Sequence, residues 1–279
     1  MIITCIHGGL GNQLFMYACG YAAARRLGTE LILDASYLDT QTLRDFELNK
    51  LNIKYDKLFS TGFLRYYPLK VAYRKAVHTY WKFKYGLIDE RSPKIIEEDL
   101  FNISDNTFLK GYWATEKYFV ECREDILKMI SPSYEVSQGC KQFINVVKES
   151  NSVSVHVRRG DRVKIKELVD ISYFMDAFHI METHISNPVY YIFSDDIEYS
   201  KNLFGSLKGT FVYVEYKTKN STIEDLMIMK SCKNAIIANS TYSWWGAWLN
   251  NNPSKIVVCP IKPGYEVFYP TNWIQIKGF

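Results

Sequence analysis

Nothing in this chain offers a paired-cysteine scaffold. Its six cysteines (Cys5, Cys19, Cys122, Cys140, Cys232 and Cys259) are scattered, with no C-x-x-C pair and no histidine at a metal-ligand spacing from them. That pattern argues against a zinc site or a disulfide framework and predicts reduced, packed thiols. Long apolar runs are missing too: none approaches the ~18 residues of a membrane span. The N-terminal MIITCIHGG lacks the basic n-region of a signal peptide. Together these absences point to a cytoplasmic protein. A large net charge is also absent. The 34 Lys and Arg against 30 Asp and Glu leave +4, too little by itself to imply nucleic acid. One absence is local. Residues 57–88, KLFSTGFLRYYPLKVAYRKAVHTYWKFKYGLI, carry lysines, arginines and aromatics but no Asp or Glu. Such a stretch suits peripheral contact with an anionic membrane surface, and equally a solvated basic face.

What is present is ample core material: 47% of 279 residues are hydrophobic, enough for one large domain or two modest ones. IITCI (2–6) is a β-branched run that stops at His7-Gly8-Gly9, a helical pattern follows from Leu10, and LILD (31–34) is a second strand. Periodicity is poor from about Ala35 to Asp105. TFLKGYW (107–113) returns to a strand, with helices expected over Glu116–Ile130 and ending near Lys148. The second half alternates clearly. Strands are expected at 152–158, 189–194, 210–215, 235–238 and 255–259, with helices at about 172–185, 196–204, 222–232 and 242–250. Strict alternation implies a parallel sheet covered on both faces, and α/β character in both halves implies two Rossmann-like domains with a cleft between them.

In open α/β sheets ligands bind beyond the carboxyl ends of the strands, and three of those ends are polar. In SVSVHVRRGD (152–161), Val153, Val155 and Val157 share one face of the strand, while Ser154, His156 and Arg158 share the other. A guanidinium fixed at a strand end can grip a phosphate in bidentate fashion, or serve as a structural ion pair. Arg159 can pair with Asp161 or with the following loop. In IFSDDIEYSK, Asp195 or Asp196 could accept from a ribose hydroxyl or a guanine edge, cap the following helix, or bind metal. Adjacent aspartates do not supply the Asp-x-Asp spacing of metal-dependent transferases. In AIIANSTYSWWGAWLN, the strand leaves Asn239, Ser240, Thr241 and Ser243 at a helix start, where N–H groups and hydroxyls favour an anion. Trp248 reads as core, and Trp244 or Trp245 could stack on a sugar. The GGLGNQ loop (8–13) resembles a dinucleotide fingerprint only loosely. It offers backbone at Gly11 and the amides of Asn12 and Gln13 for hydroxyl recognition. Of the five histidines, only His7 and His156 fall at strand ends.

In this order and spacing, GGLGNQLFMYA, HVRRGD, FSDDIE and NSTYSWWGAWL resemble the bacterial α-1,2-fucosyltransferases of glycosyltransferase family 11. The likeness runs from the first strand to the C-terminal helices and is weakest over 35–110. It implies a GT-B-like architecture: a compact acceptor-side domain over 1–135 and a GDP-fucose-binding domain over 136–279. It further implies transfer of fucose, with inversion, to O2 of a terminal galactose, using neither a divalent metal nor a cofactor beyond the donor. Arg158 corresponds to the family's arginine at the diphosphate, His156 and Arg159 to its neighbours there, and Asn12 to an asparagine near the fucose. Arg162 stands where an aromatic residue is more usual. The acceptor implied is a galactose-terminated glycan, and a lipid-linked repeat of a surface polysaccharide such as O-antigen would fit. Two other readings stay open: a non-catalytic nucleotide- or glycan-binding module, and a metal-dependent transferase of another nucleotide sugar.

Overall fold

The computed structural model describes residues 1–40, 42–90, 96–159, 168–216, 218–261, 264–265 and 267–279. The chain divides into two compact units, Met1–Tyr134 and Glu135–Phe279.

Unit 1 is built on five parallel strands, β1 (Ile2–Cys5), β2 (Leu31–Asp34), β3 (Lys57–Phe59), β4 (Gly86–Asp89) and β5 (Thr107–Lys110), in the order β3-β2-β1-β5-β4. Its first helix, α1 (Leu10–Leu27), is buried along nearly its whole first four turns, because the run from Leu10 to Ala24 is almost entirely apolar or small. Gly28 ends it at φ 61°, and its N–H reaches back to the carbonyls of Ala24 and Arg25, a left-handed cap that glycine adopts without strain. Gly20 lets the helix lie close on the sheet: a Cβ there would stand 2.8 Å from Thr4 Cγ2. The second helix, α2 (Tyr67–Lys84), starts with Pro68 in its first turn, where the missing N–H is not needed. Only His78 and Trp81 of α2 are buried. α3 (Arg123–Met129) closes the unit. The helix expected over Glu116–Ile130 is thus shorter, since 116–122 forms two 3₁₀ turns instead.

Unit 2 holds six parallel strands: β6 (Ser152–Val157), β7 (Val189–Ser194), β8 (Thr210–Tyr213), β9 (Asn234–Ile236), β10 (Val257–Ile261) and β11 (Ile274–Lys277). Their order is β11-β10-β9-β6-β7-β8. The helices are α4 (Gln138–Glu149), α5 (Ile171–His184), α6 (Ile197–Phe204), α7 (Ser221–Ser231) and α8 (Thr241–Leu249). Every residue of β6 is buried. Val153, Val155 and Val157 pack with Tyr173, Phe174 and Ile192 on one side, as the alternation predicts. The Tyr173 hydroxyl donates to the carbonyls of Ile237 (2.6 Å) and Val258 (3.0 Å), so α5 is fastened across two neighbouring strands. All six cysteines are buried free thiols, so they serve as packing. The two parallel sheets give the α/β pair of Rossmann-like domains that the sequence implies.

Candidate functional site

From β6 the chain of unit 2 runs outward through β7 to β8, then returns to the other side of β6 and runs outward again through β9, β10 and β11. The reversal lies between β6 and β9. Connections on its two sides depart in opposite directions, which opens a crevice at the carboxyl ends of these strands, the usual ligand site of such sheets. Three of the motifs singled out above converge on this edge.

Arg158 and Arg159 leave the end of β6, and Asp195 and Asp196 leave the end of the adjoining β7. Arg158 Nη1 lies 3.1 Å from Asp195 Oδ2, and Arg159 Nη1 lies 3.1 Å from Asp196 Oδ2. The Arg159 backbone N–H also donates to Asp195 Oδ1 at 2.9 Å, and its guanidinium sits 3.9 Å from the centre of the Tyr199 ring. Asp196 caps α6 by accepting from the Tyr199 N–H at 3.0 Å. Asp195, expected to face a ribose or a base, therefore pairs with the Arg158 guanidinium and holds the Arg159 backbone, while Asp196 and the Tyr199 ring direct the Arg159 guanidinium. A guanidinium fork of five N–H donors can serve a carboxylate and a phosphate together, so the ion pair and an anion site are compatible. Asp161 and Arg162 lie outside the described residues.

His156 is 6% exposed, and its Nδ1 is buried without a hydrogen-bond partner among the described residues. Its ring meets the Tyr242 ring edge-on, with centroids 5.7 Å apart, linking β6 to the start of α8. Burial, with a smaller push from the Arg158 charge, lowers its pKa to about 3, so the imidazole is neutral at physiological pH.

At the start of α8, Ser240 accepts from the Tyr242 N–H at 3.3 Å and caps the helix. Ser243 is buried and donates its hydroxyl to the Ser240 carbonyl at 3.3 Å. Asn239 and Thr241 remain half-exposed at the edge. Trp244 does not face a ligand. Its ring is fully buried among Trp245, Trp248 and Trp273, and its indole N–H donates to the Phe268 carbonyl at 2.9 Å. Trp245 is fully buried as well, so the aromatic run builds the core that holds α8 in place.

The GGLGNQ loop belongs to unit 1, following β1. Gly8 has φ +74°, and a Cβ there would press on Asn12 Nδ2 at 2.8 Å, so the turn requires glycine. Gln13 is a structural clamp. Its Nε2 donates to the carbonyls of Gly8 (2.9 Å) and Asp45 (2.8 Å), and its Oε1 accepts from the Glu47 N–H (3.0 Å). Fully buried and with both of its N–H donors already used, its amide cannot also read a sugar. Gly11 is buried, and Asn12 is half-buried.

Sequence reasoning missed a second polar edge, also in unit 1. Its strand order reverses between β1 and β5, where His7 lies against Tyr112 with ring centroids 4.9 Å apart. Burial lowers the His7 pKa. Nearby, the fully buried Asp34 is bonded to His78 Nε2 at 2.7 Å. Glu90, half-buried, accepts from the backbone N–H groups of Tyr112 (2.6 Å) and Trp113 (3.2 Å), and burial raises its pKa. Of these residues only His7 was marked in the sequence, by its place at a strand end. His78 and Asp34 come together across 44 positions, which no local pattern encodes.

Two Rossmann-like sheets, one carrying an arginine pair and a capped helix start at its topological reversal, make the two-domain α/β architecture of a GT-B-like protein. Comparisons with known proteins agree. A solved fucosyltransferase, NodZ from Bradyrhizobium, shares the fold at a TM-score of 0.51, with 14% identity over 88% of this chain and 91% of that one. A family profile for glycosyl transferase family 11 matches residues 70–276. An alpha-1,2-colitosyltransferase of Escherichia coli is 32% identical over 99% of both chains. The O-antigen biosynthesis glycosyltransferase WbnK of the same species is 31% identical over 93% of both. The chain belongs to glycosyl transferase family 11.

Proposed function

We propose that this glycosyltransferase moves L-fucose, or a deoxy relative of it, from a GDP-linked donor to O2 of a terminal galactose, with inversion and without a divalent metal. The observation that carries the reading is the placement of Arg158 at the reversal between β6 and β9. In the reaction the acceptor oxygen attacks the anomeric carbon, the bond from that carbon to the diphosphate breaks, and the acceptor proton leaves to a base. Negative charge grows on the departing diphosphate. A guanidinium held in place by Asp195 stabilises that charge without reorganising. The N-terminal end of α8, with its helix dipole, adds positive potential at the same edge. Asn12 and the unit 1 edge around His7 are assigned to the sugar and the acceptor.

The donor is the finer question. The colitosyltransferase relative widens the choice beyond fucose, because colitose is fucose without its 3-hydroxyl. The O-antigen biosynthesis enzyme among the relatives favours a surface-polysaccharide acceptor. The deciding assay offers GDP-fucose and GDP-colitose in parallel to a panel of β-galactosides in excess EDTA, with product linkage read by NMR. An α-1,2-linked product from one donor, unaffected by chelator, is the expected result. Transfer that appears only when a divalent cation is restored, or to a position other than O2, would overturn the corresponding part of the reading.

A further inference from the structure

The helix α2 has two apolar faces, and only one of them is used by the fold. The inner face sets Trp81 and Val77 against Ile3, Phe108 and Phe59, with His78 bonded to Asp34. On the far side Leu69, Tyr73, Ala76, Tyr80 and Phe83 fall within an arc of about 80° at 100° per residue, a stripe roughly 21 Å long at 1.5 Å per residue. This stripe faces solvent. Leu69 and Tyr80 are each 53% exposed and Phe83 is 88% exposed. Phe63, just before the helix, is 72% exposed and packs its ring edge-on against Tyr73 at 5.8 Å, extending the stripe. Isolated exposed apolar residues are ordinary, but an aligned row of large ones on one helix is not.

The charge around the stripe identifies what covers it. Residues 57–88 carry seven Lys and Arg and no Asp or Glu. Lys75 and Lys82, both exposed, fall about 80–100° around the helix from Phe83 on one side of the stripe. Lys84 lies on the other, 5.2 Å from the centre of the Tyr80 ring. A second protein with an apolar patch would not require lysines on both sides of the stripe. A bilayer with anionic headgroups would, because its charge lies in a plane directly above the acyl boundary into which the apolar residues dip. Among the described residues no helix is long and apolar enough to cross a membrane, so contact through this helix would be peripheral. We propose that α2 is an interfacial helix that docks unit 1 on an anionic lipid surface, with Leu69, Tyr80 and Phe83 in the headgroup–acyl boundary and Lys75, Lys82 and Lys84 among the lipid phosphates.

The test is sedimentation of the full chain with phosphatidylglycerol vesicles and with phosphatidylcholine vesicles, at low and at molar salt. Strong binding to the first, weak binding to the second and loss with salt are expected. Replacing the apolar row (Leu69→Ser, Tyr80→Ser and Phe83→Ser together) should lower the partition coefficient by more than about tenfold. Because these side chains are exposed, the melting temperature and circular dichroism should not change. A second variant, Lys75→Glu with Lys82→Glu, should lose binding to the anionic vesicles while leaving the weak neutral binding as it was. No sedimentation with anionic vesicles at low salt would overturn the proposal, and so would binding that survives both variants. A lipid-free protein that sediments as a dimer, and becomes a monomer on replacing the apolar row, would also overturn it by showing that a second copy covers the stripe.

Discussion

At the scale of single residues the decisive group is Arg158. As a structural ion pair and as the proposed diphosphate ligand it uses one geometry, the 3.1 Å contact with Asp195, so the two roles part only under substitution. Both partners are partly exposed, and pairs of that kind contribute little stability, typically about 0–1 kcal/mol. Losing a preorganised donor at a developing oxyanion costs about 10²–10³ in rate. Arg158→Ala should therefore slow transfer by that factor while its urea midpoint stays close to that of the parent, and near-parental turnover would remove Arg158 from the mechanism. His156 gives a stability test that needs no substrate. Its folded pKa of about 3 lies below the ordinary 6.5, so between these values the unfolded chain binds the proton and the native chain does not. Stability from this group is thus complete above pH 6.5 and is lost as pH falls towards 3. By pH 4.5 the loss is about 2–3 kcal/mol. His156→Gln, which cannot titrate, should lose that much less than the parent between pH 6.5 and 4.5 in chemical denaturation. Equal slopes for the two proteins would mean that the imidazole is not excluded from water.

At the scale of elements the packing of α1 on β1 makes the sharpest prediction. Inside a helix, Gly→Ala ordinarily stabilises by about 0.5–1 kcal/mol. At Gly20 the new Cβ would meet Thr4 Cγ2 at 2.8 Å and Thr4 Cβ at 3.0 Å, and Thr4 is fully buried with its hydroxyl on the Met16 carbonyl. Overpacking of this kind costs about 1–3 kcal/mol, so the clash wins and Gly20→Ala should lower the denaturation midpoint. The same local reading explains which elements were legible. β6 and β7 are buried on both faces, so their sequences are unbroken apolar or small runs ended by polar turns, and they were placed within a residue or so. β3 and β4 are the two edges of their sheet and are largely exposed, so KLF and GLID carry no pattern to find. α2 defeated the periodicity for the opposite reason: with apolar residues on two faces it has no single stripe to recognise. Site residues followed the same rule. Arg158, Asp195 and Ser240 were visible because each ends a legible strand or begins a legible helix. The fates of Trp244 and Gln13 depended on what the fold laid over them. A tryptophan at a helix start reads alike whether it faces a sugar or Phe268, and an amide beside glycines does not announce that Gly8 and residues 45–47 will occupy it.

At the scale of the whole molecule the division at Tyr134/Glu135 separates two sheets with their own connections. Unit 2 contains every strand of its sheet and the core packed around Val153, Val155, Tyr173 and Phe178. It also contains the ties that hold its layers together: the Tyr173 hydroxyl across β9 and β10, and Glu224, which accepts from both the backbone and the hydroxyl of Ser137 at the cap of α4. A domain of about 150 residues buries roughly 68–70% of the surface its unfolded chain exposes, which is enough for independent folding. The polar edge proposed for the donor diphosphate, with Arg158, Arg159, Asp195 and the start of α8, lies wholly inside this unit. Residues 135–279 expressed alone should therefore unfold in one cooperative transition and bind GDP measurably by calorimetry, without transferring sugar. Arg158→Ala in the same fragment should weaken that binding. A fragment that folds but does not bind GDP would place the nucleotide elsewhere and leave the arginine pair a structural clamp. A fragment with no cooperative transition would show that the second sheet needs the first in order to fold.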